Sequence, residues 1–497
     1  MTRPAGPAEA MAAEAIAAAG IPSQAIASQA IPSHVHLVGA AGVHMSAIGQ
    51  ILLARGHRVT GSDLVTSEHT RRLEALGGTV HTGHAADHVG GAGLVVTTTA
   101  IRLDNPELVA AHQRGTPVVT RAEMVQCLVA DRDVYAIAGT HGKTTTSSLL
   151  ALTTIEAGLD PLVLLGGDAR DLDDANARDG DGPIAVLEAD EYKGAFLHYE
   201  PHVAVVTNIE PDHLDYFRTA EAMGDVFLRF AGRIRPGGLL LACAGSPGAA
   251  ALADEIAAGG PRVERYDAGG AELDWCATDL RLNEMGAFDF AVLRHGEQIC
   301  SVSLGVPGRH NVLNATAALA AAVHAGVTPD VAAAAAGRFT GARRRFEVVG
   351  EIDTPEGRVT VVDDFAHHPS EVRATLAAAQ QRYAGRRLVG CFQPHTYSRT
   401  RYLLDEFRTC FEPLDALYVV PTYAARETPD QGLDGQDLLA ALERADAVYV
   451  DSLDEAVERL VADTRGGDGL LTLGAGDVTT IAPRVAQALR RRSASNA

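Results

Sequence analysis

The chain has 497 residues, 46% of them hydrophobic and 21% charged, enough for two to four domains that each bury a core. Its 42 basic and 63 acidic residues leave a net charge of −21, which repels nucleic acid and anionic membranes and requires a focused site for any anionic substrate. Six scattered cysteines without a CxxC pair argue against a disulfide frame or structural zinc; no apolar run spans a membrane and the start lacks a signal-peptide pattern, so a cytoplasmic protein is expected. Residues 1–32, rich in Ala, Pro and Ser, read as a flexible extension. From His34 strands and helices alternate: HVHLVG, HRVTGSD and GLVVTTTA are strands, and MSAIGQILLARG, TRRLEALG and NPELVAAHQRG are helices, a pattern that predicts a parallel sheet. A second α/β block opens at VYAIAGT and continues through IAVLEAD and VAVVTNIE. An antiparallel appendage is expected near 272–304, followed by the helix NVLNATAALAAAVHAG. A third block carries VTVVDDF, RLVGCFQP, ALYVVP, AVYVDS and GLLTLGAGD as strands. The expected domains are 33–131, 132–340 and 341–497, each α/β.

The most specific local signal is AGTHGKTTT, Ala138 to Thr146, between an apolar strand and a helix. A glycine-rich turn at a helix N-terminus aims backbone N–H groups at phosphate oxygens, Lys143 neutralises the terminal phosphates, and the Thr144 hydroxyl is placed to hold Mg²⁺. The loop departs from the full GxxxxGK[ST] pattern because Ile137 stands where its first glycine is expected. In EADE, Glu188 closes a strand beside this loop, where a nucleotide-binding sheet keeps its metal; a solvated acidic strand end is the plainer reading. TNIEPDHLDYF brings Asn208, Glu210, Asp212 and His213 to the same rim, with His213 either a second cation ligand or a turn cap.

GAAGVHM, Gly39 to Met45, keeps the first glycine of a dinucleotide fingerprint, and Gly42 still permits a tight turn. Asp63 closes the next strand where an acid can reach a ribose. A diphosphate site and an ordinary structural turn weigh about equally here. DDFAHHPSEV and FQPHTYSRT end two C-terminal strands with paired acids, His367, His368, His395 and Arg399, a plausible setting for a zwitterion whose carboxylate an Arg clamps. RRRFE at the second join reads as a basic hinge that can also touch phosphates on domain closure. His81, His84 and His88 have metal-like spacing but lack a partner ligand in the local sequence and read as structural. A nicotinamide oxidoreductase would leave the phosphate loop idle, and a nucleotide-gated binding protein without catalysis is a further possibility.

Taken in order, AGTHGKTTT, EADE, TNIEPDHLDYF, GRHNVLN, RRRFE, DDFAHHPSEV, FQPHTYSRT and the terminal GAGDV resemble the Mur ligase family over residues 34 to 480. The resemblance implies three domains, an N-terminal Rossmann-like one for the UDP-sugar, a central P-loop ATPase-like one with a mainly parallel sheet and a C-terminal Rossmann-like one for the amino acid, and an ATP- and Mg²⁺-dependent amide ligation through an acyl phosphate. The closest pattern is that of members joining L-alanine to the carboxylate of UDP-N-acetylmuramate in peptidoglycan precursor synthesis. It implies that Gly139, Thr140, His141, Gly142, Lys143, Thr144 and Thr145 hold ATP phosphates. Thr144, Glu188 and His213 would be the metal set, His310, Asn311 and Asn314 would lie near adenine, and Asp364 near the ribose or hinge. It also implies that Gly39, Gly42, Asp63, Thr97, Thr98 and Thr99 meet the UDP-sugar, while His367 and Arg399 position the amino acid. Lys143, Glu188, His213, His367 and Arg399 are the expected catalytic set, and a monomer or dimer is expected. The chain departs from the usual pattern at His44, where glycine is common, at Thr396, Phe365 and Lys193. The His44 and DDFAHHP features also resemble a recycling branch that attaches a tripeptide to the same sugar nucleotide.

Overall fold

Three sheets follow one another along the chain in the computed structural model, which describes residues 30–495 except 218, 270, 271, 426, 443 and 445. Most of the expected N-terminal extension therefore lies outside the described residues. The first sheet is parallel, in the order β3-β2-β1-β4-β5, from β1 (His34–Val38), β2 (Arg58–Asp63), β3 (Thr79–Thr82), β4 (Leu94–Thr97) and β5 (Val118–Thr120). Strand order reverses between β1 and β4, so their C-terminal ends open a crevice at which ligands collect in such sheets. α1 (Val43–Ala54) follows β1, and α2 (Arg121–Leu128) starts directly after β5 with Thr120 as its cap. His84 and His88 meet at the buried Glu107 carboxylate, each ring 2.9 Å from a different oxygen, a network that the local sequence hides.

The second sheet has ten strands. β6 (Asp133–Ala138) lies between β9 (Ile184–Glu188) and β10 (Val203–Val206), all parallel and buried on both faces, which explains their unbroken apolar runs. β7 (Leu162–Ala169) and β8 (Ala175–Arg178) extend one side; β11 (Leu239–Cys243) and β12 (Arg262–Ala268) extend the other. β13 (Trp275–Leu282), β14 (Phe288–Arg294) and β15 (Glu297–Ser303) complete it as the expected antiparallel appendage. α3 (Lys143–Glu156) and α4 (Arg309–His324) pack together over this sheet, and small buried residues such as Ala315, Ala318 and Ala322 permit their close approach.

The third sheet runs β16-β17-β21-β18-β19-β20, from β16 (Glu347–Thr354), β17 (Gly357–Asp364), β18 (Leu388–Phe392), β19 (Ala416–Val419), β20 (Ala447–Tyr449) and β21 (Gly469–Leu473). All its pairings are parallel except β16 with β17, a hairpin not anticipated because RRRFE reads as a hinge. α5 (Pro369–Arg382) begins with Pro369 in its first turn and a reciprocal His368–Glu371 cap; α6 (Tyr397–Tyr402) carries Arg399. No helix among the described residues is long and apolar enough to cross a membrane. All six cysteines are free.

Candidate active site

The loop after β6 is shaped by two glycines that tolerate no side chain. Gly139 (φ 134°) would put a Cβ 2.1 Å from Thr207 Oγ1, and Gly142 (φ 80°) one 2.5 Å from Asn314 Oδ1. The left-handed Gly142 caps α3, so the first amides of the helix stay free for an anion. Asn208 braces the turn from β10: its side chain accepts from His141 N (2.8 Å) and donates to His141 O (3.0 Å).

Lys143 is folded back over this loop. Its ammonium donates to Gly139 O (2.5 Å), Thr140 O (3.1 Å) and Glu191 Oε2 (2.9 Å). Burial opposes its charge, but Glu191, Glu188 and Asp190 outweigh burial and raise its pKa. Glu191, 1% exposed, is thus the carboxylate paired with the lysine, a role that sequence reading did not assign to it. Its signal was present in EADE, but only the turn after β9 decides which acid faces the loop. Glu188 instead accepts from Gly166 N at 2.9 Å. His213, in a left-handed backbone conformation, lies 3.9 Å from Glu191. Glu188 and His213 do not converge on one ligand group; among the described residues the converging set is His141, Glu210 and His368. The Thr144 hydroxyl and the Glu188 and Glu191 carboxylates near Lys143 are nevertheless hard oxygen donors of the type that Mg²⁺ takes.

A cavity of about 240 Å³ beside the loop gathers the other residues expected around ATP: His141, Gly142, Thr145, His310, Asn311, Asn314 and Asp364 all line it. Asn314 donates to Asn311 (3.0 Å), and Asn311 donates to Pro307 O (2.7 Å), so both amides are pre-oriented. Asp364 accepts from Phe346 N and Ala366 N, each at 2.7 Å, which ties it to the hinge while it faces the cavity; burial raises its pKa to about 6. The RRRFE segment is a fully paired hinge: Arg343 bridges Asp174 and Glu347, Arg344 reaches Asp363, and Arg345 reaches Glu371.

The C-terminal residues meet the central sheet at a second contact. His367 lies 3.1 Å from Glu371, and its ring approaches that of His395. Arg399 spends its charge on Asp212: Nε and Nη2 donate to the same oxygen at 3.0 and 2.7 Å, and both side chains are more than nine-tenths buried. Burial resists ionisation of Asp212, yet Arg399 holds it well below the ordinary carboxylate range. Thr396 donates to Glu427 at 2.8 Å.

A second cavity, about 480 Å³, opens at the β1/β4 reversal. Gly39, Gly42, Asp63, Thr98 and Thr99 line it; Thr97 lines the adjoining apolar recess instead. Asp63 accepts from Ala41 N (2.9 Å), so it shapes the glycine turn as well as facing the cavity. The far wall belongs to Arg121, Asp190 and Lys193, none of which the sequence motifs marked for this site.

Three family models match in order: the Mur ligase family catalytic domain over residues 34–133, the Mur ligase middle domain over 137–322 and the Mur ligase glutamate ligase domain over 344–476. The chain belongs to the Mur ligase family. Within this family it is 46% identical over 465 residues to the UDP-N-acetylmuramate–L-alanine ligase of Kineococcus radiotolerans, covering 92% of this chain and 96% of that one. The crystal structure of UDP-N-acetylmuramate-alanine ligase MurC from Thermotoga maritima superposes with a TM-score of 0.77 at 27% identity, covering 93% and 99% of the two chains. A murein peptide ligase from Psychrobacter arcticus gives 0.70 at 26% identity, covering 92% and 98%. The three-domain α/β architecture of Mur ligases is therefore the fold of this chain.

Proposed function

We propose that this chain is a cytoplasmic, ATP-dependent ligase that joins L-alanine to the carboxylate of UDP-N-acetylmuramate, giving UDP-N-acetylmuramoyl-L-alanine, ADP and phosphate in peptidoglycan precursor synthesis. The observation that carries this reading is the identity of 42–46% to alanine ligases over at least 90% of the chain. The domains are assigned as 33–131 for the sugar nucleotide, 132–340 for ATP and 341–497 for the amino acid. The tripeptide-recycling reading is disfavoured because its structural representative superposes less well than the alanine ligase.

In this mechanism the free amides at the start of α3 cradle the ATP phosphates, and Lys143 exchanges Glu191 for the terminal phosphoryl group. The muramoyl carboxylate oxygen attacks the γ-phosphorus and ADP leaves. The amine of L-alanine then attacks the acyl carbon, and the tetrahedral intermediate expels phosphate. Thr144, Glu188 and Glu191 are the residues assigned to hold Mg²⁺, which when bound would supply charge neutralisation on the transferred phosphoryl group, and His213, which does not converge with Glu188, is assigned to a second cation. Arg399, beside His367, orients the amino-acid carboxylate, which requires it to share or exchange Asp212. The Arg399–Asp212 contact and the hinge draw the domains together and keep water from the acyl phosphate.

The direct test is phosphate release from ATP with Mg²⁺ and UDP-N-acetylmuramate, comparing L-alanine, glycine, L-serine and the L-Ala-γ-D-Glu-diaminopimelate tripeptide, with product masses measured. Release that requires both the sugar nucleotide and L-alanine is expected. Release with the tripeptide alone would replace this reading by the recycling one, and ATP binding without stimulated release would remove catalysis altogether.

A further inference from the structure

Of the chain's 42 basic residues only Lys143 and Lys193 are lysines. Lys143 belongs to the phosphate loop, whereas Lys193 is one of the positions at which the chain departs from the family pattern. It lies in the turn after β9 with a left-handed backbone (φ 55°), followed by a left-handed Gly194 (φ 68°). That turn carries the exposed side chain to the wall of the 480 Å³ cavity at the β1/β4 reversal. There Nζ lies 3.4 Å from Thr99 O of the N-terminal domain and 5.6 Å from the centre of the Tyr192 ring. The other charges of the wall are engaged: Arg121 Nη2 lies 3.2 Å from Asp190 Oδ2, Asp190 Oδ1 accepts from Tyr192 N at 3.0 Å, and Asp63 accepts from Ala41 N at 2.9 Å. Among the described residues no carboxylate lies within ion-pair distance of Lys193, and its hydrogen-bond partner is a neutral carbonyl at the long end of the range. Exchanging that carbonyl for an anionic oxygen gains a charge-assisted bond. In a chain of net charge −21, this ammonium is the basic group of the cavity that no acid already neutralises.

We propose that Lys193 is a substrate-contacting residue of this cavity, whose ammonium exchanges Thr99 O for an anionic oxygen of the bound sugar nucleotide. The proposal rests on the reading of this cavity as the UDP-N-acetylmuramate site. A diphosphate oxygen and the muramoyl carboxylate share the required chemistry. Lys193 belongs to the central domain and Thr99 to the N-terminal one, so the contact ties a ligand seated on the first sheet to the turn that follows Glu188 and Glu191. A compact ammonium on a flexible stem can follow the ligand as it settles, whereas Arg121 is fixed by Asp190.

The test is calorimetric titration of the full chain and its Lys193→Ala and Lys193→Asn variants with UDP-N-acetylmuramate, UDP-N-acetylglucosamine and UDP, and separately with ATP. Lys193→Ala should weaken UDP-N-acetylmuramate by about tenfold, the worth of one charge-assisted bond, and leave ATP affinity unchanged. Lys193→Asn, which suits the left-handed backbone and carries no charge, should lose as much and serves if the alanine variant folds poorly. Weakening of all three uridine ligands assigns the contact to the diphosphate; weakening confined to UDP-N-acetylmuramate assigns it to the carboxylate. Because the chain holds only two lysines, reductive methylation followed by peptide mass analysis reads the contact independently, and UDP-N-acetylmuramate should slow the modification of Lys193 in the wild type. Unchanged affinity in both variants overturns the proposal alone, as does an equal loss for ATP or a Lys193 modified at the same rate with and without the sugar nucleotide. A wild-type chain that binds ATP but no uridine ligand overturns the cavity assignment and the proposal together.

Discussion

Arg399 of the C-terminal domain places two of its guanidinium nitrogens on a single oxygen of Asp212, which belongs to the loop after β10 of the central domain. The pair joins the segment that carries His213 to the one that carries His395, so the amino-acid side of the site and the phosphate side are held by one buried contact. Breaking such a pair from one side leaves an uncompensated charge, which is more damaging than never having had it.

Arg399→Ala is accordingly expected to raise the apparent KM for L-alanine and lower kcat/KM by about 10²-fold, with little change in the KM for ATP. Arg399→Lys should recover only a small part, because an ammonium cannot reproduce the fork geometry. Steady-state kinetics with each substrate varied in turn checks this; an effect confined to ATP would move Arg399 out of the amino-acid site.

Lys143→Ala should reduce ATP-dependent phosphate release by at least about 10²-fold while the circular dichroism spectrum stays native. The variant also strands Glu191, whose carboxyl is 1% exposed and whose pKa burial already raises. The double variant Lys143→Ala/Glu191→Gln should therefore melt at a higher temperature than Lys143→Ala alone, while remaining inactive.

Glu188→Gln and Glu191→Gln separate the two acids of EADE. If both serve the cation, each variant should need about tenfold more Mg²⁺ for half-maximal rate. Activity measured against Mg²⁺ concentration reads this directly, and an unchanged requirement in Glu188→Gln would leave that residue as a brace for Gly166.

His141 forms a proton-dependent bridge between domains, 3.2 Å from Glu371 on α5 and 3.5 Å from Glu210 on the central rim. Burial opposes its charge, but Glu371 and Glu210 prevail and lift its pKa to about 9 from an ordinary 6.5. A raised folded-state value means that the bridge contributes fully below about pH 6.5 and is lost as pH rises through about 9. The wild type should therefore lose more melting temperature between pH 7 and 9.5 than His141→Gln does, as thermal denaturation at both pH values will show.

The alternation of strand and helix from His34 onward was legible because each strand's apolar run and each helix's periodicity are local properties. The phosphate loop was legible for the same reason: Gly139, Gly142, Lys143 and Thr144 fall within one short segment, and their chemistry depends on backbone conformation that the glycines permit. The antiparallel appendage of β13 to β15 could be anticipated from its polar alternation, whereas β16 was hidden behind three arginines whose partners, Glu347 apart, lie elsewhere in the chain.

What the sequence by itself determined was the class of fold, the ordering of the nucleotide and ligase motifs, and the need for focused anion sites in an acidic chain. Only the tertiary structure decided which charges meet. Glu191 rather than Glu188 holds Lys143, Glu107 gathers His84 and His88, and Asp212 receives Arg399 from 187 residues away. Electrostatic pairing and desolvation act over a few ångströms in space, and separation along the chain carries no information about them until the sheets are packed.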